Sequence, residues 1–379
     1  MRIKLVVLIL LSHALFAQAA DNIHTAVMQS PALNGVQTSD MGEDDQGGDE
    51  LDGVGDESAL DLSDEFANAE HHDRITSDKT FKSLQKVMPQ FATTINNQKR
   101  IEEAKQAEED KQSALDIAVM KFARMPRMRS SIVLIYDENG KQALHSSNAD
   151  VVAPIASITK LMTAMVVLDA NLPLDEEITI SNVDINRQKR TRSRTQVGMT
   201  LTRGELLKLA LMASDNLSAA ALARTYPGGT EAALVKMNAK AQELGMNSSR
   251  FMDPTGLNSN NVSTANDLVK MVSAAHGYEL IHQFTTSTSH IVEREGRRPL
   301  SFHNTNPLVR NTSWDIGLSK TGYISEAGRC LVMEARITDH PVIIVLLDSW
   351  GRNSRVGDAN RVKKWMENAS LRGQSARNL

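Results

Sequence analysis

The sequence is poor in cysteine, in aromatic residues and in long apolar runs. Cys330 is the single cysteine among 379 residues. No intramolecular disulfide can form, and with no cysteine near residue 20 a lipoprotein anchor is excluded. Cys330 lies in the strand-like run "GRCLVMEARI", so a packed core thiol is expected there rather than a nucleophile. Aromatic residues make up 4% of the chain, too few to interleave with basic residues across a nucleic-acid surface. Beyond the N-terminus no apolar run approaches the ~20 residues of a membrane helix. The 10 histidines show no metal-ligand spacing. The adjacent pair His71-His72 stands alone, and neither metal nor cofactor is expected.

Charge of one sign is missing from two stretches. Residues 1–20 hold no acid. Arg2 and Lys4 precede the apolar run Leu5–Phe16, and Ala17-Gln18-Ala19 supplies small residues for cleavage near Ala20, the pattern of a secretory signal peptide over 1–19. Residues 21–73 hold 15 acids and neither lysine nor arginine. Acidity, glycine and scarce aromatics predict disorder over 20–78. Residues 79–117 read as a charged helix, either a linker or packed on the main domain, and 371–379 as a polar tail. The net charge of −4 thereby becomes 31 acids against 40 bases, about +9, over residues 74–379. That balance suits an anionic partner and an ordinary solvated surface equally well.

With 41% hydrophobic residues, the remainder is long enough for one substantial domain, expected over 118–370. "SSIVLIYDENGKQALHSS" reads as two strands around the turn Asp137-Glu138-Asn139-Gly140. "RCLVMEARI" and "PVIIVLLDS" read as a second hairpin around Thr338-Asp339-His340. Helical patterns cover 157–171, 202–225, 229–245 and 264–276, and a last helix spans about 355–368. Strands at both ends with helices between them predict a mixed α/β domain of the α+β kind: an antiparallel sheet flanked by helices, plus an all-helical subdomain.

Lys160 is out of place in "APIASITKLMTAMVVLDA", where a buried ammonium is costly. Ser157 precedes it by three residues, so the two share a helix face. A serine hydroxyl becomes a nucleophile when a neighbouring amine takes its proton, the amine's pKa being lowered by burial or by nearby positive charge. Alone the pattern is weak, since Ser83-Leu84-Gln85-Lys86 also fits it. Ser214-Asp215-Asn216 follows, and then Lys320-Thr321-Gly322, the one K-T-G in the chain. S-x-N recurs at Ser146-Ser147-Asn148 and Ser259-Asn260-Asn261, so the ordered triple carries the weight. In this reading Ser214 relays a proton, and Asn216 orients Lys160 and holds a substrate amide. Lys320 lowers the Lys160 pKa and attracts a carboxylate, which Thr321 also binds. Gly322 leaves room for an extended peptide. The backbone N–H groups of Ser157 and Tyr323 form an oxyanion hole.

With "PIASITKLMTAMVVLDA", "LALMASDNLSAAALARTYPGG", "MNAKAQELGMNSSRFMDPTGLN", "VSTANDLVKM" and "HNTNPLV" added, residues 130–368 resemble the penicillin-binding serine DD-peptidases of the peptidase S11 type. Within that family the likeness is greatest to the D-alanyl-D-alanine endopeptidases of Gram-negative bacteria. The resemblance implies a β-lactamase/transpeptidase-like fold, and Ser157, Lys160, Ser214, Asn216, Lys320, Thr321 and Gly322 as the functional residues. It also implies peptidoglycan cross-bridges as substrate, β-lactams as covalent inhibitors, and action in the periplasm. Two features depart from the family pattern: the acidic stretch with the helix after it, and Asp215 in place of glutamate. The Asp215 side chain is expected to point away from substrate.

A serine β-lactamase would use an extra E-x-x-x-N pair, which Glu243 and Asn247 match only in spacing. Glu243 is expected to be a solvated helix residue. A DD-carboxypeptidase shares every catalytic part, but the polar "LRGQSARNL" does not resemble the amphipathic anchor such enzymes carry, which favours the endopeptidase. A silent β-lactam sensor or scaffold sits poorly with intact Ser157, Lys160 and Lys320. The basic run "RQKRTRSR", 187–194, is expected to be a solvated loop beside the site. His303 and Asn304 are expected to serve packing, and Met162 and Met165 to be core.

Overall fold

The computed structural model describes residues 89–377, except 187, 188, 190–192 and 295. The expected signal peptide, the acidic segment, His71-His72 and Ser83–Lys86 lie outside the described residues. Five long strands form one antiparallel sheet: β1 (Ser130–Asp137), β2 (Gln142–Ser147), β3 (Asp315–Ile324), β4 (Gly328–Ile337) and β5 (His340–Ser349). Their spatial order is β2-β1-β5-β4-β3. The last strand of the chain thus lies between the first and the fourth, and the sheet joins segments about 200 residues apart.

The strands alternate because both faces are covered. On β5, Ile343, Val345 and Leu347 enter one core, and Val342, Ile344 and Leu346 enter the other. This explains the unbroken apolar run "VIIVLL" in the central strand. The first core is shared with α2 (Thr159–Asp169), α3 (Arg203–Met212), α4 (Asn216–Arg224), α5 (Gly229–Glu243) and α6 (Ala265–His276). A further helix, α7 (Glu279–Thr286), adds Ile281 to it. Met162 and Met165 are fully buried there, as expected. So is Cys330, whose thiol is raised to about 11 by burial; it is an inert core group.

The second core lies under α1 (Pro89–Phe122) and α8 (Ser354–Arg377). Among the described side chains of α1, those of its last turns take part: Ile117 and Met120 are buried, whereas residues 96–108 are exposed. Trp365 on α8 closes the seam by donating its indole N–H to the Ala123 carbonyl at 3.2 Å. The final helix runs beyond the expected end near 368.

The segment read as one helix over 202–225 is two. Helix α3 stops at Met212, and Ser214 adopts a left-handed φ of 58°. Asp215 then caps α4 by accepting the Ser218 N–H at 2.9 Å. An aspartate carboxylate competes well for the free N–H groups of a new helix, and this breaks an otherwise continuous helical pattern.

Asp358 fastens α8 to the start of β1. It is fully buried and accepts the Ser130 N–H at 2.8 Å, the Ser130 hydroxyl at 2.6 Å and the Arg129 N–H at 3.0 Å. Asp358→Ala strands these donors, and is expected to destabilise the domain by about 3 kcal/mol in urea unfolding. Asp358→Asn, which keeps one acceptor, should lose less. Equal midpoints for wild type and the alanine variant would show that the contact carries no stability.

Candidate active site

Three segments converge on one cleft. Ser157 lies in a single 3-10 turn, Ala156–Ile158, that leads into α2. The residue before it, Ala156, has a left-handed φ of 49°. A non-glycine residue in that region is strained, and such strain persists only where the surroundings impose it. Two glycines press on this turn. At Gly256 (φ 79°) an added Cβ would come to 1.9 Å from the Ala156 carbonyl oxygen, so only glycine fits. At Gly322 it would come to 2.9 Å from the Ile155 oxygen and 3.1 Å from the Ser157 nitrogen. The K-T-G strand therefore runs directly against the backbone of the serine.

Lys160 projects from the first turn of α2 and is 1% exposed. Its ammonium contacts three acceptors: Ser157 Oγ at 2.9 Å, Asn216 Oδ1 at 2.8 Å and the Thr255 carbonyl at 2.6 Å. Burial lowers its pKa to about 8, against an opposing influence from Asp253 and Asp215. Of the two causes expected, burial and nearby positive charge, burial is the main one. Burial, then the charge of Lys160, then that of Arg355 push Lys320 well below its ordinary value.

Lys320 on β3 is also 1% exposed. It donates to Ser214 Oγ at 2.8 Å and to the Thr321 carbonyl at 3.0 Å. Thr321 Oγ1 donates to Thr305 Oγ1 at 2.6 Å. Arg355, at the start of α8, donates to the Gly322 carbonyl at 2.9 Å and is lowered to about 10, chiefly by burial. Three basic side chains thus surround one cleft, an arrangement that favours a carboxylate. β3 is the edge strand of the sheet, so part of its backbone faces away from β4 and can pair with an extended peptide.

Ser157, Lys160, Ser214, Asn216, Lys320, Thr321 and Gly322 are therefore brought together, with Tyr323 next along the same strand. Residues missed by sequence reasoning hold them in place. Asp253 accepts the Gly256 N–H at 2.9 Å and orders the turn whose Thr255 carbonyl meets Lys160. Asn261 is fully buried and donates to Thr159 Oγ1 at 3.0 Å and to the Asp253 carbonyl at 2.8 Å. Its own carbonyl accepts the Ile155 N–H at 3.0 Å. It thereby joins the turn of Asp253 to both ends of the serine turn. Asp-Pro and the asparagines of 253–261 are turn-forming residues, but nothing in them signals the contact with Lys160. Arg355 carried no local signal at all.

Asp215 points away from the cleft as expected. It is buried and accepts from Thr195 Oγ1 at 2.7 Å, from Ser218 and from Ser193. Asn304 serves packing as expected, donating to the Thr285 and Ser287 carbonyls at 2.8 Å each, whereas His303 does not: its position on the strand leaves it exposed. Glu243 ends α5 in solvent. In the basic loop, Lys189 pairs with Glu326 at 2.8 Å and Arg194 donates to the Ser301 carbonyl. A cavity of about 470 Å³ runs from this loop to Asn216, Thr255 and Leu257. Among the described residues no group of three or more His, Cys, Asp or Glu side chains is arranged for a metal ion. Among them, too, no helix is long and apolar enough to cross a membrane.

Comparison with known proteins agrees with this geometry. Residues 109–351 match the peptidase S11 family, described as D-alanyl-D-alanine carboxypeptidase. The D-alanyl-D-alanine endopeptidase of Pseudomonas aeruginosa is 45% identical over 245 residues, 64% of this chain and 79% of that protein. The D-alanyl-D-alanine endopeptidase of Escherichia coli is 42% identical over 261 residues, 69% of this chain and 84% of that protein. The crystal structure of the Streptomyces K15 DD-transpeptidase superposes with a TM-score of 0.59 at 26% identity, covering 65% of this chain and 99% of that one. The family match over most of the chain, with a half-buried serine bonded to a buried lysine and closed by a K-T-G edge strand, makes this chain a member of the peptidase S11 family of serine DD-peptidases.

Proposed function

We propose that the protein is a D-alanyl-D-alanine endopeptidase that hydrolyses the D-alanyl–diamino-acid cross-links of peptidoglycan. It is exported by residues 1–19 and acts in the periplasm. The observation that carries this reading is the Lys160 amine, buried and bonded to Ser157 Oγ while Lys320 holds Ser214 on the facing wall.

The chemistry follows from donor counting. As an ammonium, Lys160 has three N–H bonds and three acceptors. As a neutral amine it keeps two N–H bonds, for Asn216 Oδ1 and the Thr255 carbonyl, and turns its lone pair to the Ser157 hydroxyl. Ser157 Oγ then attacks the D-alanyl carbonyl carbon, and its proton passes to Lys160. The tetrahedral oxyanion is held by the N–H groups of Ser157 and Tyr323. Collapse expels the amine of the diamino acid, which receives the proton through Ser214, leaving an acyl ester on Ser157. Water, deprotonated by the same amine, frees the serine and the D-alanyl carboxylate. Asn216, Lys320, Thr321 and Gly322 position the peptide. A β-lactam acylates Ser157 by the same steps, its ring amide replacing the scissile bond.

The second reading, a D-alanyl-D-alanine carboxypeptidase, is favoured by the description of the family as a whole. It uses the same groups and differs in the leaving amine. Digestion of purified muropeptides, with mass analysis, separates the two. The endopeptidase converts cross-linked dimers to monomers and leaves monomeric pentapeptides intact, whereas release of D-alanine alone identifies the carboxypeptidase. Ser157→Ala should abolish both this activity and labelling by fluorescent penicillin, and retained turnover refutes the assignment of the nucleophile. The free amine of Lys160 is the active form, so the rate of penicillin acylation should rise with pH and level off above an apparent pKa near 8. Lys160→Ala should reduce acylation by about a thousandfold or more and remove the rise. A rate already at its maximum at pH 6 would rule out a base that titrates near 8.

A further inference from the structure

On the opposite face of the sheet from Ser157, a cavity of about 280 Å³ opens between the turn after α1 and one face of α8. Among the described residues, its wall carries Arg124, Arg361, Lys364 and Arg372, together with Asn368 and the ring of Trp365, and no acid. Residues 361, 364, 365, 368 and 372 follow the helical repeat, so their side chains form one stripe along α8.

Four cations around one small space repel each other, and an ordinary surface would intersperse acids among them. Here Arg361 alone has an acid partner: its guanidinium donates to Asp358, which is already committed to Arg129 and Ser130. The Nε–H of Arg361 is buried without an acceptor. Arg124, Lys364 and Arg372 form no ion pair among the described residues, and all three are exposed. Among the described residues, the cavity therefore holds a surplus of N–H donors and positive charge with no acid to receive them.

We propose that this cavity is a binding site for a phosphate group. A carboxylate has two oxygens and is satisfied by one guanidinium. Three guanidinia, an ammonium and an amide offer many more donors, a set suited to the several oxygens of a phosphate held by forked arginine contacts. The volume is close to the lower end of small-molecule pockets, ~300 Å³, and so fits a phosphorylated headgroup rather than a polymer segment. The flat Trp365 ring, fixed by its bond to the Ala123 carbonyl, gives the group beyond the phosphate an apolar wall. Two sources share this chemistry, a soluble phosphate ester and the headgroup of an anionic lipid. The site is separated from the catalytic cleft by the sheet and does not depend on the reaction assigned to that cleft.

The test uses the full chain and the double variant Arg124→Gln/Arg372→Gln. Both side chains are exposed and form no ion pair among the described residues, so the variant should keep the wild-type unfolding midpoint and penicillin labelling. Calorimetric titration with glycerol 3-phosphate is run beside flotation with vesicles of phosphatidylglycerol or of phosphatidylcholine. Wild type should bind glycerol 3-phosphate saturably, or phosphatidylglycerol vesicles and not phosphatidylcholine ones, and the double variant should bind at least about tenfold more weakly. Saturable binding of the soluble ester without vesicle binding identifies a soluble source. Vesicle binding that excess glycerol 3-phosphate reverses identifies a lipid headgroup. The proposal is overturned if wild type binds neither, if the variant binds as tightly as wild type, or if acetate binds as well as the phosphate ester.

Discussion

The site depends on keeping one amine out of water. Lys160 carries its nitrogen into a wall built from Ser157, Asn216 and the Thr255 carbonyl, and the domain is arranged so that these three acceptors meet there. Desolvation disfavours the charged form of a lysine, whereas Asp253 and Asp215 favour it. The balance between them leaves the amine able to take and return a proton near neutral pH. Full burial without those carboxylates would give a weaker base, and exposure would give an amine protonated throughout the working range.

Each acceptor reaches Lys160 from a different part of the chain, and each arrives by a local device. Ser157 comes from a strained turn clamped by two close-approaching backbones, those of Gly256 and Gly322. Asn216 comes from a helix that starts only because Asp215 caps it. Thr255 comes from a loop ordered by Asp253 and Asn261. Lys320 and Ser214 form the facing wall, and their position depends on the edge strand of a sheet whose central strand is buried on both sides. The two carboxylates thus have a double role: they hold backbone in place and they set the electrostatics of the amine. The same economy marks the other face, where Asp358 fastens α8 to β1 and leaves the basic stripe of that helix turned to the cavity.

Much of this was legible in the sequence. Alternating and doubly buried strands announce themselves in "SSIVLIYD", "GRCLVMEARI" and "PVIIVLLDS", and the serine, lysine and K-T-G residues do so by type and order. Cys330, Met162 and Met165 are core because the pattern around them is apolar. What was not legible lies in local breaks and in tertiary contact. "LALMASDNLSAAALAR" reads as one helix, because its apolar pattern runs on across the left-handed turn at Ser214 and the Asp215 cap that interrupt it. Arg355 sits 33 positions beyond Gly322 and meets it only through packing of α8. That burial is the main cause of the low Lys160 pKa was not legible for a related reason: burial depends on the whole fold, while a second lysine in a motif is visible at once.

A titration of the Lys160 side chain itself addresses the buried amine most directly. In protein labelled with 13C and 15N at lysine, with the Lys160 resonance assigned through the Lys160→Arg variant, its chemical shift should move through a midpoint near 8. A midpoint at or above the ordinary lysine value of about 10.5 would mean that the amine is a resident cation, and the serine would need another base.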